Sequence, residues 1–188
     1  MSDKSRDLIL NDTVGKIIAG VTVNREYNVP YLAGYNNAAS VIYIDSRLPK
    51  THIQKDGKEL SVDRYLTMHE VFEGILLRDF KMSYQNAHQM ALYIEKASVV
   101  ADGYSWEEYN EFMWHHIRLV EKEGFVKIPP DLNMQPYEDC NDNDLIVRMK
   151  TAQEEGGVIS EEVVSEESFI TARPCGCLSK HNPPSMTW

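Results

Sequence analysis

Cysteine is scarce, with three in 188 residues. The count is odd and two of the three lie near the C-terminus, so no disulfide framework is expected, and a reducing cytoplasm is the simplest compartment. Basic residues are few as well: 19 Lys and Arg stand against 29 Asp and Glu, and no basic run of five residues occurs. Neutralising a phosphate backbone needs clustered cations, so a duplex-wrapping surface is excluded and nucleic acid is not an expected partner. Long apolar runs are missing too. Nothing approaches the roughly 18–20 residues of a membrane span, and the opening MSDKSRDLILNDTVG has no apolar stretch of signal-peptide type. No membrane contact is expected. What remains is a hydrophobic fraction of 43% with ten tyrosines, enough to build a core for one domain plus an appendage.

Turn formers and periodicity divide the chain into an N-terminal arm (1–25), a body (26–150) and an acidic tail (151–188). In the body, SVIYID before Pro49 is β-rich, which predicts a strand over Ala39–Asp45, and QKDGKEL turns at Gly57. Three helices follow. Apolar residues at Tyr65, Leu66, Met68, Phe72, Ile75, Leu76 and Phe80 have helical spacing over 62–80. A second helix is predicted over 84–102 on Ala87, Met90, Ala91 and Ile94, ended by Gly103. Ser105 with Glu108 three residues on has the pattern of a capping box, opening a third helix to about Glu123. A short helix around Leu145–Ala152 follows a proline-marked connection. The predicted class is α+β: a small antiparallel sheet packed on two to three helices, then an extended tail. No internal repeat occurs.

The first long helix raises the functional question, because an imidazole and two carboxylates stand inside its apolar sequence at His69, Glu70 and Glu73. Buried without partners, such groups are costly. His69 and Glu73 are four apart, so on a helix both project from one face and can grip one ion, as in H-E-x-x-H with the second histidine replaced by glutamate. Zinc accepts nitrogen and carboxylate ligands, and three protein ligands leave a position for water. Glu70 then sits where it could take a proton from that water. The third ligand must come from elsewhere. His88, across a short reversal on the next helix, is the best placed, with His115 and His116 in reserve. Glu95, two turns past His88 on the same face, can accept the other imidazole N–H. Tyr65 and Tyr84 are near enough in sequence to be considered as oxyanion donors, although tyrosines in helices usually serve packing.

GYNNAASVIYIDSRLP followed by VDRYLTMHEVFEGIL resembles the strand-then-helix order of minimal zincin-type, gluzincin-like metallopeptidases. It is also similar to small uncharacterised phage and proteobacterial proteins with an H-E-x-x-E…H run. The likeness covers roughly residues 30–125. It implies an edge strand bordering a substrate cleft, a zinc ion held one per chain by His69 and Glu73, Glu70 as general base and, less directly, His88 as third ligand. The implied activity is zinc-dependent hydrolysis of a peptide or amide bond in a peptide or protein substrate. The departure from H-E-x-x-H lies at Glu73. The location implied is the cytoplasm, that of a host or a virion if the chain is phage-encoded.

A second class of function stands beside this one. Residues 151–172 hold six glutamates and no Lys or Arg, and an acidic segment with interspersed valines either orders on a partner or stays solvated. On that reading the chain is a non-enzymatic structural or assembly protein, for example a virion component, that keeps a zincin-like scaffold and binds its partner through the tail. Two other metal readings fail on spacing. Cys175 and Cys177 with His181 do not make a metal knuckle, and Glu111 with His115 is four apart where a di-iron bundle uses Glu-x-x-His. Cys140 stands in a polar loop with no base nearby.

Overall fold

The apolar run Val41–Ile44 becomes the central strand of a three-stranded sheet, with three of its four residues buried. In the computed structural model, which describes residues 18–154, this strand is β3, after β1 (Thr22–Asn24) and β2 (Ala33–Tyr35). The order is β1-β3-β2. β3 runs antiparallel to β2, with Gly34 opposite Tyr43, and parallel to β1, with Val23 opposite Ile42. The expected antiparallel pairing is present, and one parallel pair joins it because the chain passes from one edge to the other before returning through the centre. Asn36 closes the β2–β3 reversal, its side-chain oxygen accepting the N–H groups of Ser40 and Val41. A separate hairpin pairs β4 (Thr51–Ile53) with β5 (Glu59–Ser61). Its turn needs the positive φ of Gly57, +85°, which glycine adopts without steric cost.

The helices follow the periodicity closely: α1 (Val62–Arg78), α2 (Tyr84–Ala101), α3 (Trp106–Glu123), then α4 (Gln135–Asp139) and α5 (Asn143–Glu154). The proline-marked connection thus contains one short helix, α4, that apolar spacing does not predict. α1 ends before Phe80, which is 70% exposed and contributes nothing to the core. Gly103, at φ +83°, terminates α2, with Tyr104 N–H reaching back to the Val99 carbonyl. Ser105 caps α3 by accepting the Glu108 N–H. The capping box is only half made. Gln54 of the hairpin loop takes the Ser105 N–H, and Glu108 turns to the Lys55 N–H at 2.7 Å.

α1 lies between the sheet and α2, so residues on most of its circumference are buried. Polar anchors fix its entry: Arg25 joins Asp63 in the first turn of α1 at 2.8 Å and donates to the Leu48 carbonyl. Asp45, wholly buried, accepts the Val29 N–H and pairs with Arg47 at 2.7 Å. Most of the acidic tail, with Cys175, Cys177 and His181, lies outside the described residues, as does most of the N-terminal arm. No helix among the described residues is long and apolar enough to cross a membrane.

Candidate metal centre

α1 and α2 can place side chains against each other because α2 turns Ala87 and Ala91, both fully buried, toward the interface. Small side chains let two helix backbones approach. His88 and Glu95, seven residues apart, share the face that looks onto α1. His69 Nε2, His88 Nδ1 and Glu73 Oε2 converge there: the two nitrogens are 3.2 Å apart, and Glu73 Oε2 lies 2.8 Å from His88 Nδ1 and 3.6 Å from His69 Nε2. In a tetrahedral zinc site with ligand distances near 2.0–2.1 Å, ligand atoms are separated by about 3.3 Å. The three observed edges straddle that value. His69, Glu73 and His88 can therefore hold one metal ion.

Burial makes the arrangement consequential. His69 is 5% exposed, Glu73 3%, Glu70 9% and Glu95 4%. Burial by itself would lower the His69 pKa, but the hydrogen-bonded Glu73 and Glu95 carboxylates outweigh it and hold the imidazole well above its ordinary range. For Glu73, burial pulls upward while His69 and His88 pull downward, and the net shift is downward. Glu70 goes the other way. Burial first, and the neighbouring Glu73 charge second, push its carboxyl up to about 8. These groups form an acid–base set in which a cation would take the place of an imidazolium proton.

Glu95 orients the cluster as expected. One of its oxygens accepts the His69 Nδ1–H at 2.8 Å and the other accepts the Tyr109 hydroxyl at 2.6 Å, leaving Nε2 of His69 to face the other donors. Tyr109 arrives from α3, where helical spacing places it among the packing residues and nothing marks it as a partner for Glu95. Replacing Glu95 by Gln keeps an acceptor for Nδ1–H but removes the charge that makes the imidazole a stronger ligand. Affinity for a metal ion held by these residues is expected to fall about tenfold or more. Competition against a chromophoric chelator measures it.

The other sequence candidates sit elsewhere. His116 donates its Nδ1–H to the Phe112 carbonyl at 2.9 Å, and His115 is exposed; neither belongs to the ligand group. Tyr65 spends its hydroxyl on Asp102 at 2.8 Å. Tyr84 lies tilted against the His88 ring, centroids 5.5 Å apart. Glu70 has no hydrogen-bond partner among the described residues, and it borders a cavity of about 780 Å³ that also takes in the three ligands. Away from the ligands the wall is mostly apolar and aromatic, including Leu92, Tyr93, Trp106, Met113, Trp114 and Ile117. The cavity was not readable from the sequence, since its far wall is the face of α3 that spacing assigns simply to the core. Comparison with protein-family models, with curated proteins and with solved structures finds no match.

Proposed function

We propose that this chain is a metal-dependent hydrolase, a zinc peptidase or amidase of minimal zincin type in which Glu70 is the general base. One observation carries the reading: two imidazoles and a carboxylate converge in a buried site at the head of a substrate-sized cavity, beside a second carboxylate with no hydrogen bond of its own. Two nitrogens and one oxygen suit zinc with a position left open, the pattern of catalytic rather than structural sites. Bound there, zinc supplies a Lewis acid that polarises a carbonyl and lowers the pKa of water toward about 7. Glu70 takes the proton of the attacking water and delivers it to the leaving nitrogen. Positive charge held by His69, His88 and Glu73 would also bring the raised Glu70 carboxyl back toward its ionised form. The aromatic wall favours a scissile bond next to a bulky apolar group, and a cavity of about 780 Å³ falls in the range that accommodates one.

The test is elemental analysis of the purified chain together with a peptide-mixture digest read by mass spectrometry. About one zinc per chain is expected, with cleavage beside large apolar residues that stops on chelation and returns with zinc. Trace metal and no cleavage would replace the hydrolase by the non-enzymatic assembly protein, and stoichiometric iron would redirect the chemistry, since two histidines and one carboxylate also suit iron(II).

A further inference from the structure

Among the described residues, two side-chain polar atoms wholly shut off from solvent have no hydrogen-bond partner: Nε2 of His52 and the hydroxyl of Tyr35. His52 stacks on Phe112, 4.4 Å between centroids, and is not part of the cavity wall. Tyr35 does line the cavity. It is the last residue of β2, 4% exposed, and its ring rests on α1 at Gly74, where an added Cβ would meet the ring at 3.6 Å. Gly74 follows Glu73 directly and lies one turn beyond Glu70, so the ring covers the stretch of helix that presents both carboxylates. The two are also the charges that most affect the phenol after burial itself, all three raising its pKa. Tyr35 therefore remains a neutral O–H donor. A buried hydroxyl left unpaired carries a desolvation penalty, and such an exception asks for an explanation.

The neighbouring tyrosines are committed. Tyr109 donates to Glu95, Tyr65 to Asp102 and Tyr137 to the Pro30 carbonyl at 3.5 Å. From the unspent donor beside the unspent acceptor Glu70, we infer that Tyr35 is the residue that hydrogen-bonds the substrate's carbonyl oxygen as it gains negative charge, the role that sequence position suggested for Tyr65 or Tyr84. This rests on the hydrolase reading and deepens it. The phenol donates a hydrogen bond and transfers no proton. Water attacks from the Glu70 side while the carbonyl oxygen turns toward β2. A preorganised donor of this kind acts where charge develops rather than on the resting substrate.

The test compares the zinc-loaded parent with Tyr35→Phe, using acetohydroxamate, whose oxygens mimic that charge, as the probe in titration calorimetry. The variant loses no protein hydrogen bond, so it is expected to keep its zinc and melt no lower than the parent. Its acetohydroxamate affinity should fall about tenfold or more, as for loss of one donor to a charged acceptor. On a peptide the parent cleaves, kcat should fall about a hundredfold with KM unchanged. Equal acetohydroxamate affinity overturns the inference. So does loss of zinc from Tyr35→Phe, which would make the phenol a support for the ligands instead. A parent that takes up no zinc defeats the hydrolase reading itself, a result seen before the variant is made.

Discussion

On the proposed hydrolase reading, His69→Ala is expected to strip the chain of its metal and end hydrolysis. His69 supplies one of three donors and is also the contact through which Glu95 and Tyr109 orient the site. Two donors cannot retain what three hold, and zinc content should drop from about one per chain to trace. The substitution also touches stability. Glu73 keeps His88 at 2.8 Å, but Glu95 keeps only Tyr109 and becomes a buried carboxylate without its cationic partner. Removing one member of a buried ion pair costs about 3–5 kcal/mol, readable as a lower urea midpoint. The side chain of His88 is 13% exposed, so His88→Ala removes a ligand with a smaller effect on the fold and separates the two consequences. A His69→Ala chain that keeps stoichiometric zinc would sink the proposed centre.

Glu70→Gln is expected to give the opposite profile: full zinc, unchanged or higher stability, and activity down by a factor of about 10²–10⁴, the usual contribution of a positioned general base. The stability expectation has a clear physical source. Glu70 is buried without a hydrogen bond among the described residues, and burial together with the Glu73 charge already raises its pKa to about 8. A neutral amide of the same shape relieves both penalties. In the metal-free chain the linkage has a definite sign: a carboxyl raised in the folded state favours folding while protonated, and that contribution is lost as pH rises through about 8. The glutamine variant lacks that loss. Zinc content, thermal melting and cleavage rate of parent and variant, measured side by side, decide the matter. Equal rates would remove Glu70 from the mechanism.

Sequence was a good guide where the determining contacts are local. The boundaries of α2 and α3 follow from Gly103 and Ser105, whose effects span a few residues. The meeting of His69, Glu73 and His88 follows from spacing once α1 and α2 are antiparallel neighbours, and so does the acceptor role of Glu95. Over-reading came from the same source: periodicity carried α1 through Phe80, whereas the helix stops at Arg78 and Phe80 is left outside. Features set by distant contacts were not legible. β1 is three residues long and takes its parallel place beside β3 only through pairing. Tyr35 and Tyr109 come from β2 and α3, and a tyrosine carries no mark of which carboxylate it will meet. α4 did leave a signal, Pro136 in its first turn, where proline is tolerated because the N–H there has no helical partner.

The close approach of α1 and α2 through Ala87 and Ala91 has a kinetic implication. Every proposed ligand, and the carboxylate that steadies the first of them, falls within one contiguous stretch from His69 to Glu95. A cation can therefore clasp this helical hairpin before the strands have found their register, shortening the search by cross-linking a short loop. Refolding in the presence of zinc should then gain speed in its earliest phase, while the donor from β2 falls into place only when the sheet docks.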